Sequence, residues 1–279
     1  STPLAAAVTG EPQRLANPAL VLTLAIGQST VATRRVIANL YYRDVALARQ
    51  LHLGETLTTT VTPLAAEWTR SGTERAKVLL GMNVASDRGD TVATFQRMAL
   101  LPVAEPARLV ERAAPPAAAD PSLASFAAIA PGWDASRHPS MPLRSGESWV
   151  DPLRDTASSA RELVRLSINL AAAHRDAAAG IRGRRLAYGG HTVALAQASL
   201  SRTMPGLLTV LAWRSCDHVG PVFEDDLLET STHVDAVHAL GDGRLLVDTT
   251  VEVRALRSEE PELVLRWRAV LLVAGEETP

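Results

Sequence analysis

Cysteine is nearly absent. Cys216 stands alone in 279 residues, which excludes an internal disulfide and a cysteine metal cluster. A reducing compartment, the cytoplasm, is the matching expectation. Excess charge of one sign is missing too: 28 Lys and Arg face 30 Asp and Glu, a formal net charge of −2. Nucleic-acid binders usually carry a basic excess, so that class is set aside. No run of eighteen apolar residues occurs, and no charged segment precedes an apolar one at the start. Neither a membrane span nor a signal peptide is expected. His52, His138, His174, His191, His218, His233 and His238 show no ligand spacing with carboxylates or with Cys216, so no metal is expected. What remains is a chain 47% hydrophobic, enough for one large core or two smaller ones.

The chain matches itself. Asn17 to Ala25 aligns with Gly189 to Gln197 at an offset of 172, and Gly54 to Leu57 with Asp225 to Leu228 at 171. Arg97 to Leu101 aligns with Arg268 to Leu272, again at 171. Three anchors at nearly one offset predict a duplicated unit. A Pro/Ala-rich stretch from Ala113 to Pro121 marks the join. The expected organisation is a first unit over 1–110, a linker over 111–144, irregular and pinned by Trp133, and a second unit over 145–279.

Each unit reads as a helix followed by strands. In the second, Leu163, Leu166, Leu170 and Ala173 recur at three- and four-residue steps, predicting a helix from Asp155 to Ala179. Strand-like runs follow at Leu208–Ser215, Leu228–His238, Leu245–Leu256 and Leu263–Val273, with Gly241-Asp242-Gly243 as a turn. In the first, Thr56–Ala65, Ala76–Val84 and Thr91–Leu101 read the same way. A long helix on an antiparallel sheet is α+β. At the repeat offset His174 corresponds to Thr2 and Asn169 falls before the first residue. The first unit is therefore expected to lack its opening strand and the start of its central helix.

Chemistry concentrates between Asn169 and Leu195. A side-chain amide and an imidazole, Asn169 and His174, stand five residues apart, and Gly189-Gly190 opens an apolar helix shortly after. A glycine there lets a substrate approach, and free N–H groups at a helix start can hold a developing negative charge. Hydration of an α,β-unsaturated thioester needs an imidazole that moves a proton, an amide that orients water or substrate, and such an oxyanion site. Tyr188 and His191 flank the glycines and can reach substrate. Arg182, Arg184 and Arg185 form a basic cluster beside them, suited to phosphate. Asp217 and His218 are neighbours on a strand and face apart, so they do not read as a dyad.

Asn169 to His174, followed by Arg184-Arg185-Leu186-Ala187-Tyr188-Gly189-Gly190-His191, resembles the active-site segment of the MaoC-type (R)-specific enoyl-CoA hydratases. It is most similar to the mesaconyl-CoA (2-methylfumaryl-CoA) hydratase branch and its mycobacterial double-hotdog relatives. Ile37 to Tyr42 extends the resemblance into the first half. In the family pattern Asn169 takes the place of an Asp, Ala171 of an Asn, Ala172 of a Pro, and Gly189 of the His before the oxyanion glycine, Gly190. The resemblance implies a double hotdog fold and a hydro-lyase acting on an acyl-CoA or acyl-carrier-protein thioester, with His174, Asn169 and Gly190 catalytic. Tyr188, Gly189, His191, Arg184 and Arg185 would bind substrate. No cofactor is implied beyond the coenzyme A of the substrate, and a homodimer is compatible. The acyl group implied is branched or dicarboxylic. Asn169 cannot take a proton as an Asp would. That leaves two competing expectations: a hotdog thioesterase, or a non-catalytic acyl-thioester binder.

Overall fold

Asn17 can accept a hydrogen bond ahead of Pro18, which has none to donate; that pair is suited to starting a helix. The computed structural model describes residues 8–11, 13–70, 72–116 and 119–277. In it, Asn17 caps α1 (Pro18–Ser29) by accepting the Ala19 N–H at 2.8 Å. Four long strands follow: β1 (Ala38–Leu47), β2 (Leu57–Thr69), β3 (Gly72–Ser86) and β4 (Thr91–Pro102). Three short strands, β5 (Met141–Leu143), β6 (Ser148–Val150) and β7 (Asp155–Thr156), lead to a short helix, α2 (Ala160–Leu166). Then the first pattern returns as α3 (Gly189–Thr203), β8 (Leu207–His218), β9 (Leu227–Ala239), β10 (Arg244–Ala255) and β11 (Glu262–Glu277).

All of these strands join one sheet in the order β2-β3-β4-β1-β8-β11-β10-β9-β6, with β5 beside β11 and β7 beside β9. β1 and β8 form the antiparallel seam, Tyr42 opposite Cys216 and Val45 opposite Trp213. Alternation along the strands sends one set of side chains to the helix-covered face. There α1 packs against α3, and Leu22, Ile26, Val193, Leu200, Tyr42, Trp213 and Trp267 share one core. The result is an α+β double hotdog. The turn between β9 and β10 uses Gly241 and Gly243 at φ +83° and +77°, where a side chain would be strained.

The structure differs from the sequence reading in four places. The helix expected over Asp155–Ala179 is confined to Ala160–Leu166. Leu166 is 73% exposed, so its apolar spacing did not mark a buried stripe, and Ile168 at φ +56° ends helical geometry. The central helix of the first unit is intact at its start, capped by Asn17; Thr2 lies outside the described residues. The segment between units is less irregular than expected. Its 3₁₀ turns at Leu123–Ile129 set Leu123, Phe126 and Ile129 against Leu211, Leu246, Val270 and Leu272 on the sheet face opposite the helices. Finally, Arg97 and Arg268 match in sequence but face opposite sides. Arg97 points at α1, whereas Arg268 reaches Asp120 at 3.4 Å on the other face. A register shift between Arg268 and Ala269 causes this, and Ala269 stands opposite Trp213 as Arg97 stands opposite Tyr42.

Gly27 makes α1 compatible with the segment after α2. A Cβ there would lie 2.0 Å from the Ser167 carbonyl oxygen, which is backbone and cannot swing away. Gly27→Ala should therefore destabilise the protein by about 1–3 kcal/mol, the usual cost of overpacking. Urea denaturation measures it; an unchanged midpoint would show that the contact yields.

Candidate active site

The segment 167–174 is held by α1 as well as by its own unit. Thr30 Oγ1, just beyond α1, donates to the Gly27 carbonyl at 2.6 Å and accepts the Leu170 N–H at 2.7 Å. Ile168, β-branched and left-handed, turns the chain sharply, and Asn169 next to it is only 1% exposed. Asn169 Oδ1 accepts the Ala171 N–H at 2.9 Å. Its amide NH2 remains as a donor, and an amide is not a base. Asn169 can thus hold an oxygen but cannot receive a proton.

His174 closes the 3₁₀ turn Ala172–His174, with Nδ1 3.1 Å from the Leu186 carbonyl oxygen. A carbonyl only accepts, so Nδ1 carries the hydrogen and Nε2 keeps its lone pair. Burial pulls the pKa down to about 4; the Leu186 bond opposes this and the Arg97 charge adds to it. The imidazole is therefore neutral at pH 7. Its ring lies 5.9 Å from that of Tyr188, whose hydroxyl donates to the Thr23 carbonyl at 2.6 Å.

Tyr188 also precedes α3. Its carbonyl accepts the His191 N–H at 2.8 Å, while the N–H groups of Gly189 and Gly190 come too early in the helix for an intrahelical acceptor. A Cβ on Gly189 would meet His218 Cε1 at 2.7 Å, and one on Gly190 would meet Tyr188 Cζ at 2.5 Å. Each glycine is thus required by a neighbouring ring.

Asn169, His174, Tyr188 and Gly189 line one cavity of about 270 Å³. Gly189 lines it, and Gly190 backs onto the Tyr188 ring. His191 is buried and points elsewhere, with Nδ1 unpartnered. Neither Arg184 nor Arg185 reaches the cavity. Arg184 pairs with Asp226 at 3.2 Å and stacks on Phe223, and Arg185 pairs with Glu224. A phosphate would have to compete with those carboxylates. Arg182 is exposed and has no ion pair among the described residues.

Arg97 lines the cavity and had no site role in the sequence reading; Tyr42, within the resemblance segment, and His218, read there as more structural than functional, line it as well. Arg97 is 2% exposed and donates to Asn39 Oδ1 (2.9 Å), Ser29 Oγ (2.7 Å) and Thr33 Oγ1 (2.6 Å). No carboxylate among the described residues pairs with it. The carbonyl end of α1 is the compensation in place. Its signal in the sequence was alternation, two residues after inward Phe95. His218 likewise follows inward Cys216 by two, while Asp217 turns away to Arg43 at 2.6 Å. Burial holds the His218 pKa down to about 4 as well.

Two imidazoles with depressed pKa values make stability depend on pH. Their contribution is full above the unfolded value near pH 6.5 and is lost as pH falls toward about 4, because the unfolded chain then binds more protons. Unfolding free energy should drop across that window. His218→Leu should flatten the dependence, and an equally steep profile in that variant would refute the assignment.

No protein-family model matches the sequence, and no curated protein does. Solved structures do. RV0216 of Mycobacterium tuberculosis, which has a double hotdog fold, is 36% identical over 98% of this chain and 86% of its own, with a TM-score of 0.76. A MaoC domain dehydratase assignment is carried by a Chloroflexus aurantiacus protein, 20% identical over 99% of this chain and 86% of its own, at a TM-score of 0.83. A further MaoC-like dehydratase is 13% identical at 0.63, covering 96% of this chain and 86% of its own. The last two likenesses are of fold. At the identity to RV0216, and with both units matched, the chain belongs to the double-hotdog family of that mycobacterial protein.

Proposed function

We propose that the protein is a hydratase/dehydratase that adds water to, or removes it from, an α,β-unsaturated acyl thioester carried by coenzyme A or an acyl-carrier protein. One observation carries this: a neutral imidazole with a free Nε2 shares a largely apolar cavity with the unpaired N–H of Gly189 at the start of α3. In hydration, His174 Nε2 takes a proton from water as the oxygen bonds C3. The double-bond electrons move toward the thioester oxygen, where Gly189 N–H, beside Gly190 and the positive end of α3, holds the charge. His174 then returns the proton to C2. Asn169 donates its NH2 to the water or the thioester. Arg182 is the exposed cation of its cluster open to carrier phosphate, and no cofactor enters.

Among hydratase names in the resemblance, the mesaconyl type fits one feature in particular. A guanidinium buried without a counter-ion gains from a ligand that brings one. We therefore extend the reading to an enoyl thioester whose acyl end bears a carboxylate received by Arg97. The thioesterase alternative needs an acidic residue at the carbonyl, and no carboxylate lines the cavity.

An enoyl-CoA panel tests the proposal. Loss of enoyl absorbance without thiol release is the expected result, and thiol release would favour the thioesterase. His174→Ala should lower kcat by about 10²–10⁴-fold, the range of general acid–base groups, with the fold retained. Wild-type turnover in that variant would remove His174 from the mechanism. Mesaconyl-CoA should outperform crotonyl-CoA in kcat/KM by about tenfold or more, since hydrogen bonds to charged groups contribute about 1.5–3 kcal/mol. Arg97→Lys, which keeps the charge and loses the fork, should shrink that preference. An unchanged ratio would mean that Arg97 only clips α1 to the sheet.

A further inference from the structure

Water that attacks a double bond has two hydrogens to place. One leaves to the base; the other must be held so that the oxygen lone pair points at C3. The family pattern offers a carboxylate beside the histidine; this chain has Asn169, a neutral amide whose Oδ1 already accepts the Ala171 N–H. Asn39 Oδ1 and Thr30 Oγ1 likewise accept from Arg97 and the Leu170 N–H, and the Tyr188 hydroxyl donates to Thr23. The basic acceptors lining the cavity are the ring nitrogens of His174 and His218.

His218 ends β8 and lines the same cavity, its ring edge-on to Tyr42 with centroids 5.7 Å apart. Neither ring nitrogen has a hydrogen-bond partner among the described residues; Nε2 is sealed from solvent, which leaves Nδ1 as the nitrogen a water can reach. Leaving a buried imidazole unpaired costs free energy that an apolar residue would avoid. The first unit takes the apolar option: its β1 ends at Leu47, 171 positions earlier, 4% exposed. The second unit instead keeps the imidazole and leaves Gly189 without a side chain to make room for it.

We infer that His218 is a second catalytic group, its Nδ1 the acceptor that holds the attacking water while His174 deprotonates it. The inference rests on the hydration reading above. One water proton passes to His174 Nε2, the oxygen lone pair forms the C3–O bond, and the π electrons shift toward the thioester oxygen. The second O–H stays hydrogen-bonded to His218 and becomes the product hydroxyl hydrogen. His174 then protonates C2. His218 begins and ends neutral, so no further proton donor is required.

The test uses the whole protein with crotonyl-CoA and mesaconyl-CoA, and two variants. His218→Leu copies the first unit, and His218→Ala leaves space for added imidazole. Both should lose about a hundredfold in kcat with KM within threefold, because water is held only for the chemical step. Imidazole should restore part of the activity of His218→Ala, an effect a merely structural histidine would not give. A folded variant that keeps kcat within threefold, or a loss confined to KM, overturns the role of His218 and leaves the hydratase reading intact. Wild-type protein inert toward both thioesters overturns both.

Discussion

The antiparallel seam between β1 and β8 is the constraint from which the site follows. Pairing Tyr42 with Cys216 and Val45 with Trp213 fuses two sheets into one and sets α1 beside α3 on the same face. Only then can Gly27 receive Ser167, and Thr30 receive Leu170. The loop that carries Asn169 and His174 belongs to the second unit by sequence and is held by both, through Leu186 on one side and Thr30 on the other. Tyr42, Thr30 and Arg97 reach the cavity from one half; His174, Gly189 and His218 reach it from the other. The cavity lining is complete only with both halves together.

The cavity is electrostatically one-sided. Its histidines are held neutral by burial, its tyrosines are held protonated for the same reason, and its one fixed charge is the Arg97 guanidinium. The free N–H groups at the start of α3 add partial positive charge. In a low-dielectric enclosure such fields act at close to full strength. The polarity suits negative charge that develops on a substrate oxygen.

Much of the fold was legible. The repeat offset, the strand runs and the apolar helix after Gly189 depend on local periodicity, which a single sequence carries. The second-unit helix was misjudged because Leu163, Leu166 and Leu170 keep helical spacing while the chain between them leaves helical geometry at Ile168; a left-handed β-branched residue is imposed by packing, not by its own preference. In the site, Asn169 and His174 were visible because they sit close in sequence. Arg97 was not, and His218 read as structural more than functional, since a buried cation and a lone strand histidine acquire meaning only when distant strands meet. Arg184 and Arg185 looked available for phosphate because their partners, Asp226 and Glu224, lie some forty residues away.

Fusing the units has a consequence for how the molecule can change. In a dimer of identical hotdogs every inward position is read twice, once on each side of the axis, so a group useful in one pocket is burdensome in the other. Here Ala269 faces Trp213 where Arg97 faces Tyr42, and Leu47 closes one strand where His218 closes its counterpart. Covalent linkage lifted the symmetry requirement. Each half could keep filler at a position where the other holds a polar group, so that a single orphaned cation is buried in the core.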